Sequence, residues 1–268
     1  MQFDEDLARA MERRFGLRAA QVLAWSKGAR PDELYERLGK AAAQMLASLL
    51  SPGTVVGVSW GTAVSATVEA LEVPEPIAVK VVQLVGVLGS RSPTSNAQAL
   101  TERLARKIGG QPFYLYAPFI VDSAHTARSL ISNQNISDAL EVARHCDVAL
   151  LGIGTTDPGF CSLYRGGYIS QDELRILRHA GAVGDVNAYH YDLDGHMTAS
   201  VLRERIVGLP VDDLLAIPAR LAVAGGLAKA EAVLGALRGG WINMLAIDSP
   251  TAERSGTLRF STKRITAA

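Results

Sequence analysis

The sequence predicts an α/β fold, a doubly wound and mostly parallel sheet with helices on both faces. Three observations predict it. Apolar runs recur at 54–58, 78–86, 113–121, 147–153, 220–224 and 242–247, several of them apolar at nearly every residue, as strands buried on both faces must be. Helical periodicity fills most of the gaps between them, at 62–72, 95–108, 135–145, 170–179 and 227–238. Several runs also break into turns of glycine and hydroxylated residues. Such alternation is what right-handed crossovers between parallel strands require.

Ahead of this pattern, residues 3–15 predict an amphipathic helix, with Phe3, Leu7, Met11 and Phe15 four apart on one face. Val22-Leu23-Ala24-Trp25 is a short candidate strand. Pro31-Asp32-Glu33 opens a second helix in the favoured way, with proline and acids in its first turn. Leu34, Leu38, Ala42, Met45 and Leu49 continue it, and Ser51-Pro52-Gly53 stops it. Between Gly181 and Arg205 the chain is rich in Gly, Asp, Tyr and His, which predicts an irregular or antiparallel excursion. No internal repeat, low-complexity stretch or linker divides the sequence. It reads as one unit over residues 1–254 with a tail at 255–268, the first fifty residues able to pack as an appendage.

The bulk properties narrow the function. The 268 residues include 27 Lys plus Arg and 27 Asp plus Glu, a net charge of zero. The totals therefore supply no basic face for nucleic acid, while weak self-repulsion accommodates self-association. Cys146 and Cys161 form no disulfide framework and no metal-ligand spacing, so a reducing cytoplasm is the expected compartment. The acidic start Met1-Gln2-Phe3-Asp4-Glu5-Asp6 lacks the layout of a signal peptide, and no apolar run reaches the roughly 20 residues of a membrane span. His125, His145, His179, His190 and His196 show no paired spacing, so neither a metal nor a cofactor is expected.

Ligands of doubly wound sheets sit beyond the carboxyl ends of the strands, which directs attention to four loops. Val55-Val56-Gly57-Val58 runs into Ser59-Trp60-Gly61-Thr62 and then a helix. Close backbone approach at Gly61, hydroxyls at Ser59 and Thr62 and the positive end of the helix suit a phosphate, although such a turn also serves simply to reverse a chain. Leu151-Gly152-Ile153-Gly154-Thr155-Thr156 follows a strand without an immediate helix and can line a pocket wall. It lacks the third glycine of a dinucleotide fingerprint. Gly181-Ala182-Val183-Gly184-Asp185 offers a carboxylate that could accept hydroxyl protons, act as a general base or merely make a turn. Ala222-Val223-Ala224-Gly225-Gly226 leads into a helix with Lys229 in its first turn. A cation there opposes the helix dipole, and an anionic ligand at the same terminus would offset this.

These loops, in this order, resemble the effector-binding domain of the SorC family of bacterial transcriptional regulators, also labelled DeoR-like. The resemblance runs from about residue 10 to residue 254. It rests on Val56 to Thr62, Val82-Gln83-Leu84-Val85-Gly86, Ala117-Pro118 with Val121-Asp122-Ser123, Asp147 to Gly154, Gly181 to Asp185, and Ala222 to Gly226 with Lys229. It implies a fold similar to ribose-5-phosphate isomerase and glucosamine-6-phosphate deaminase, used for sensing phosphorylated sugars or polyols within a homo-oligomer, a dimer or tetramer. By motif match, Ser59, Gly61, Thr62, Gly225, Gly226 and Lys229 would hold the phosphate. Gln83, Gly152, Gly154 and Asp185 would line the sugar end. Family members carry an N-terminal helix-turn-helix domain that binds operator DNA. This sequence begins where that domain would have ended, so the expectation is of a truncated form without specific DNA binding of its own. Two other readings compete. A sugar-phosphate isomerase or deaminase of the same fold would use Asp185 as base with a histidine such as His190 assisting, and a purely structural assembly subunit would have an unresponsive pocket.

Overall fold

The computed structural model describes residues 1–25, 31–89, 96–200 and 202–257. The C-terminal tail of the sequence reading lies outside the described residues from 258 onward. The strands are β1 (Ala19–Leu23), β2 (Val55–Val58), β3 (Lys80–Gln83), β4 (Gln111–Phe113), β5 (Val148–Gly152), β6 (Gly154–Thr155), β7 (Gly184–Val186), β8 (Tyr189–Tyr191), β9 (Ala219–Val223) and β10 (Met244–Asp248). The helices are α1 (Glu5–Phe15), α2 (Pro31–Ala47), α3 (Thr62–Ala70), α4 (Ala97–Ile108), α5 (Ala124–Ile131) and α6 (Gln134–Arg144). After them come α7 (Ser162–Arg165), α8 (Gln171–His179), α9 (Val211–Ala216), α10 (Ala230–Arg238) and α11 (Ser249–Thr257).

Seven strands make one sheet in the order β1-β10-β9-β5-β2-β3-β4, every neighbouring pair parallel. The remaining three form a small antiparallel sheet, β6-β7-β8, which is the excursion expected after Gly181. Alternate residues of the main sheet feed two cores, as the run of apolar residues requires. Val56, Val58, Leu150 and Val223 pack with Leu38 and Leu46 of α2 and Val64 and Val68 of α3. Ala149, Leu151, Ala222 and Ile247 face the other way, towards Met11 of α1 and Val233 and Leu237 of α10. Because β1 pairs with β10 and α2 shares a core with β2, the first fifty residues are woven into the sheet.

Several stretches differ from the sequence expectation. The apolar run at 113–121 is almost entirely loop, since β4 ends at Phe113. Leu115, Ala117 and Val121 instead fill a separate cluster with Ala127 of α5 and Leu140 of α6. Pro112 fits the edge strand because Gln111 N–H bonds Val79 at 2.9 Å, which turns the next position outward, where no ladder donor is needed. The helices α5, α9 and α11 carried too short a periodic signal to be anticipated. Helix α11 crosses the boundary placed at residue 254 and is started by Asp248, whose Oδ2 accepts Thr251 N–H at 3.1 Å.

Helices α2 and α3 cross at Gly39, where a Cβ would stand 2.5 Å from the backbone carbonyl carbon of Ala66. In an exposed helix Gly→Ala gains up to about 1 kcal/mol. Here the clash with backbone reverses the sign. Gly39→Ala should lower unfolding free energy by about 1–3 kcal/mol in urea titrations, and a stabilised variant would show that the two helices do not meet there.

Candidate functional site

Strands β2 and β5 lie side by side, yet the chain leaves β2 towards β3 and β4 and leaves β5 towards the opposite half of the sheet. Connections departing to opposite sides leave a crevice above the carboxyl ends, the usual ligand position in such sheets. A cavity of about 580 Å³ fills it, within the range of small-molecule sites. Its walls bring together Ser59, Gly61 and Thr62 after β2, Gly152 at the end of β5 with Gly154 of β6, Gly225, Gly226 and Lys229 after β9, and Asp185 of β7. The four loops separated by up to 170 positions in sequence thus converge.

Each loop has a local cause. Gly61, at φ +115°, is the N-cap of α3 and provides no side-chain cap, so the first-turn amides of α3 remain available to a ligand. Gly225 could carry no side chain, because a Cβ would sit 2.8 Å from Asp248 Oδ1. That same oxygen accepts Gly226 N–H at 2.8 Å. Asp248, almost fully buried, thereby fixes the Gly-Gly turn while starting α11. Gly154 is required for another reason: a Cβ there would collide with Asp185 Oδ1. The carboxylate of Asp185 is 5% exposed, and its Oδ2 accepts Ala188 N–H at 2.9 Å.

Lys229 is the electrostatic centre of the cavity. A short 3-10 turn, Leu227–Lys229, precedes α10, so Lys229 is the residue immediately before that helix. Its ammonium donates to Ile153 O at 2.7 Å, bridging the β9 and β5 loops. Burial pushes its pKa down to about 8, with Asp185 opposing the shift. A desolvated cation at the positive end of a helix is unfavourable on both counts. An anion in the cavity would relieve both.

Two expected residues behave differently. Gln83 is not among the residues lining the cavity. Its Nε2 donates to Val85 O at 2.6 Å and its Oε1 accepts Leu115 N–H at 3.2 Å, so both ends of the amide hold the loop after β3. Ser59 lines the cavity, but its hydroxyl proton is donated to Asn187 Oδ1, leaving Ser59 as an acceptor towards a ligand. His190 sits across the β7–β8 ladder from Asp185 and is buried, and that burial lowers its pKa against the pull of Asp185. It is therefore held neutral.

The sequence reading missed Asn187 and Arg165. Arg165 is an exposed cation on α7 at the cavity, with no sequence signal beyond its charge. Asn187 had one, in Val186-Asn187-Ala188-Tyr189, where Asn opens a two-residue hairpin turn. Trp60, read from the sequence only as part of its turn, contributes a wall. Its ring meets Phe119 and Tyr168 edge-on at 6.1 and 6.5 Å. Among the described residues no group of His, Cys, Asp and Glu could hold a metal ion, and no helix is long and apolar enough to cross a membrane.

The lowered pKa of Lys229 has a defined linkage. Between about 8 and 10.5 the unfolded chain binds more protons at this group than the folded one, so its contribution makes stability rise with pH across that window. The penalty is complete below about 8 and gone above 10.5. Any stability advantage of Lys229→Met over wild type should therefore be greater at about pH 7 than at about pH 10 in urea unfolding. A pH-independent difference would place the ammonium in solvent.

Comparison with known proteins agrees with this geometry. A family model described as "Putative sugar-binding domain" matches residues 1–254. The chain is 30% identical to the deoxyribonucleoside regulator of Bacillus subtilis (strain 168) over 249 residues, covering 92% of this chain and 78% of that protein. It is 34% identical to the transcriptional regulator LsrR of Escherichia coli (strain K12) over 245 residues, 90% and 74% of the two chains. Among solved structures, the probable sor operon regulator from Shigella flexneri superposes with a TM-score of 0.86 at 26% identity, covering 94% of this chain and 99% of that one. The full-length sorbitol operon regulator SorC from Klebsiella pneumoniae gives 0.86 at 26% identity, covering 94% and 81%. These relatives and neighbours are transcriptional regulators, and they lend no support to the isomerase or deaminase alternative. The chain belongs to the sugar-binding domain family of SorC and DeoR-type transcriptional regulators.

Proposed function

We propose that the cavity binds a phosphorylated sugar or polyol as the effector of a transcriptional regulator. One observation carries the phosphate: the uncapped start of α3 and the half-buried ammonium of Lys229 line the same cavity. Backbone amides and an ammonium together suit a dianion. Asp185 suits hydroxyls, because a carboxylate accepts and does not donate, and it repels a phosphate from its own end. The ligand is thereby oriented, phosphate towards α3 and Lys229, carbon skeleton towards Asp185. Gly61, Thr62, Gly225 and Gly226 form the phosphate end in this reading, with Gly152, Gly154 and Asp185 at the sugar end. Ser59 supports its neighbours through an acceptor oxygen.

Binding has consequences for the intact regulator. An effector that favours one arrangement of subunits changes operator affinity, and by linkage the operator changes effector affinity by the same factor. The zero net charge is compatible with homo-oligomer formation.

A thermal-shift screen of pentose, hexose and polyol phosphates, each beside its unphosphorylated counterpart, tests the reading. A phosphorylated compound at about 100 times its Kd should stabilise the domain by about 2.7 kcal/mol, and the unphosphorylated partner should not. Lys229→Met should weaken that ligand at least about tenfold, the range for losing a charged hydrogen bond. Equal response to both members of each pair, or an unaffected Lys229→Met, would refute the phosphate site.

A further inference from the structure

We propose that Asn187 is a sugar-reading donor, acting beside Asp185 and distinct from the phosphate cradle; this rests on the effector reading above. The residue sits at the tip of the β7–β8 hairpin, where Val186 pairs with Tyr189 across a two-residue turn. Asn187 and Ala188 have φ of +53° and +62°. A turn with both central residues left-handed matches the twist of a hairpin. Asn tolerates that conformation, whereas Ala is strained in it.

Hairpin tips normally meet water. This one does not. Asn187 is 2% exposed and Ala188 1%, and Asn187 lines the cavity with Asp185. The turn is locked from two sides. Asp185 Oδ2 accepts Ala188 N–H at 2.9 Å, and Ser59 donates its hydroxyl proton to Asn187 Oδ1. That second bond engages the oxygen end of the amide. Its Nδ2 is buried and has no hydrogen-bond partner within the protein. A buried donor left unsatisfied costs about 1–3 kcal/mol, and a ligand oxygen in the cavity removes that cost.

The chemistry of the neighbour identifies which oxygen. Asp185 excludes phosphate from this end, so the group meeting Asn187 belongs to the carbon skeleton. Asp185 accepts and Asn187 donates, a complementary pair for two neighbouring oxygens of a sugar, one giving a proton and one receiving it. A residue needed only for the turn would be replaceable by glycine, which fits a positive φ without strain. That difference makes the role testable.

The experiment uses Asn187→Gly in the whole chain, with inorganic phosphate and every sugar phosphate of the panel as probes. In the wild type, at least one sugar phosphate should bind more tightly than inorganic phosphate. In Asn187→Gly that advantage should fall about tenfold, the loss expected for one unpaired buried donor, with inorganic phosphate affinity unchanged within about threefold. Ser59→Ala, which frees the amide to rotate, should give a smaller loss of the same kind. Unchanged sugar-phosphate affinity in Asn187→Gly would overturn the proposal and make the residue a turn former. Equal losses for inorganic phosphate and sugar phosphate would overturn it too, placing Asn187 at the phosphate. Wild type that binds inorganic phosphate but no sugar phosphate more tightly refutes Asn187 alone, whereas wild type that binds neither refutes the effector site itself. Should Asn187→Gly unfold below the wild-type transition by more than the Gly39→Ala variant, the turn depends on the Asn side chain and the proposal is likewise overturned.

Discussion

The parallel pairing of β2 with β5 is the constraint from which the site follows. Two parallel neighbours end at the same side of the sheet, and here their onward connections depart in opposite directions. The residues that border the gap above the two strands, Gly61 on one side and Gly152 on the other, are therefore free to present backbone to a ligand. The outer strands repeat the logic: β9 lies next to β5, so its Gly225-Gly226 turn opens on the same crevice. Burial of both sheet faces, by α2 and α3 on one side and α1 and α10 on the other, makes this carboxyl edge a rigid rim.

Charge inside the crevice is one-sided at its phosphate end. The ammonium of Lys229 and the open start of α3 both favour negative charge. Asp185 opposes them from close by, near enough to Lys229 to raise its pKa, where Gly154 leaves it room and Ala188 N–H holds it. The unliganded domain tolerates this arrangement at a cost visible in the lowered pKa of Lys229. An anion bound there would relieve that cost as it binds, as a sensor requires.

The fold and much of the site were legible in the sequence because each depended on local pattern. Strands buried on both faces show as continuous apolar runs, and the Ser59-Trp60-Gly61-Thr62 and Gly225-Gly226 turns mark strand-to-helix junctions on their own. Asp185 was legible from its glycine neighbours. What escaped depends on contacts between distant segments. Gln83 looked available until Leu115 and Val85 were seen to engage both ends of its amide, and the run at 113–121 looked like a strand because helices α5 and α6 bury it just as a sheet would. Asn187 could not be recognised as a wall of the cavity without knowing that the β7–β8 tip folds inward against Ser59.

The central claim is that a phosphate dianion meets the half-buried ammonium of Lys229, and the proton itself reports on that encounter. Isothermal titration of the best sugar phosphate at about pH 8.5, in two buffers of different ionisation enthalpy, measures protons taken up on binding. With a pKa of about 8 in the free domain, Lys229 is mostly neutral at that pH and must gain charge to pair with the dianion. The expected result is net proton uptake by wild type and none by Lys229→Met. Tight binding with no uptake, or the same uptake in both proteins, would contradict it.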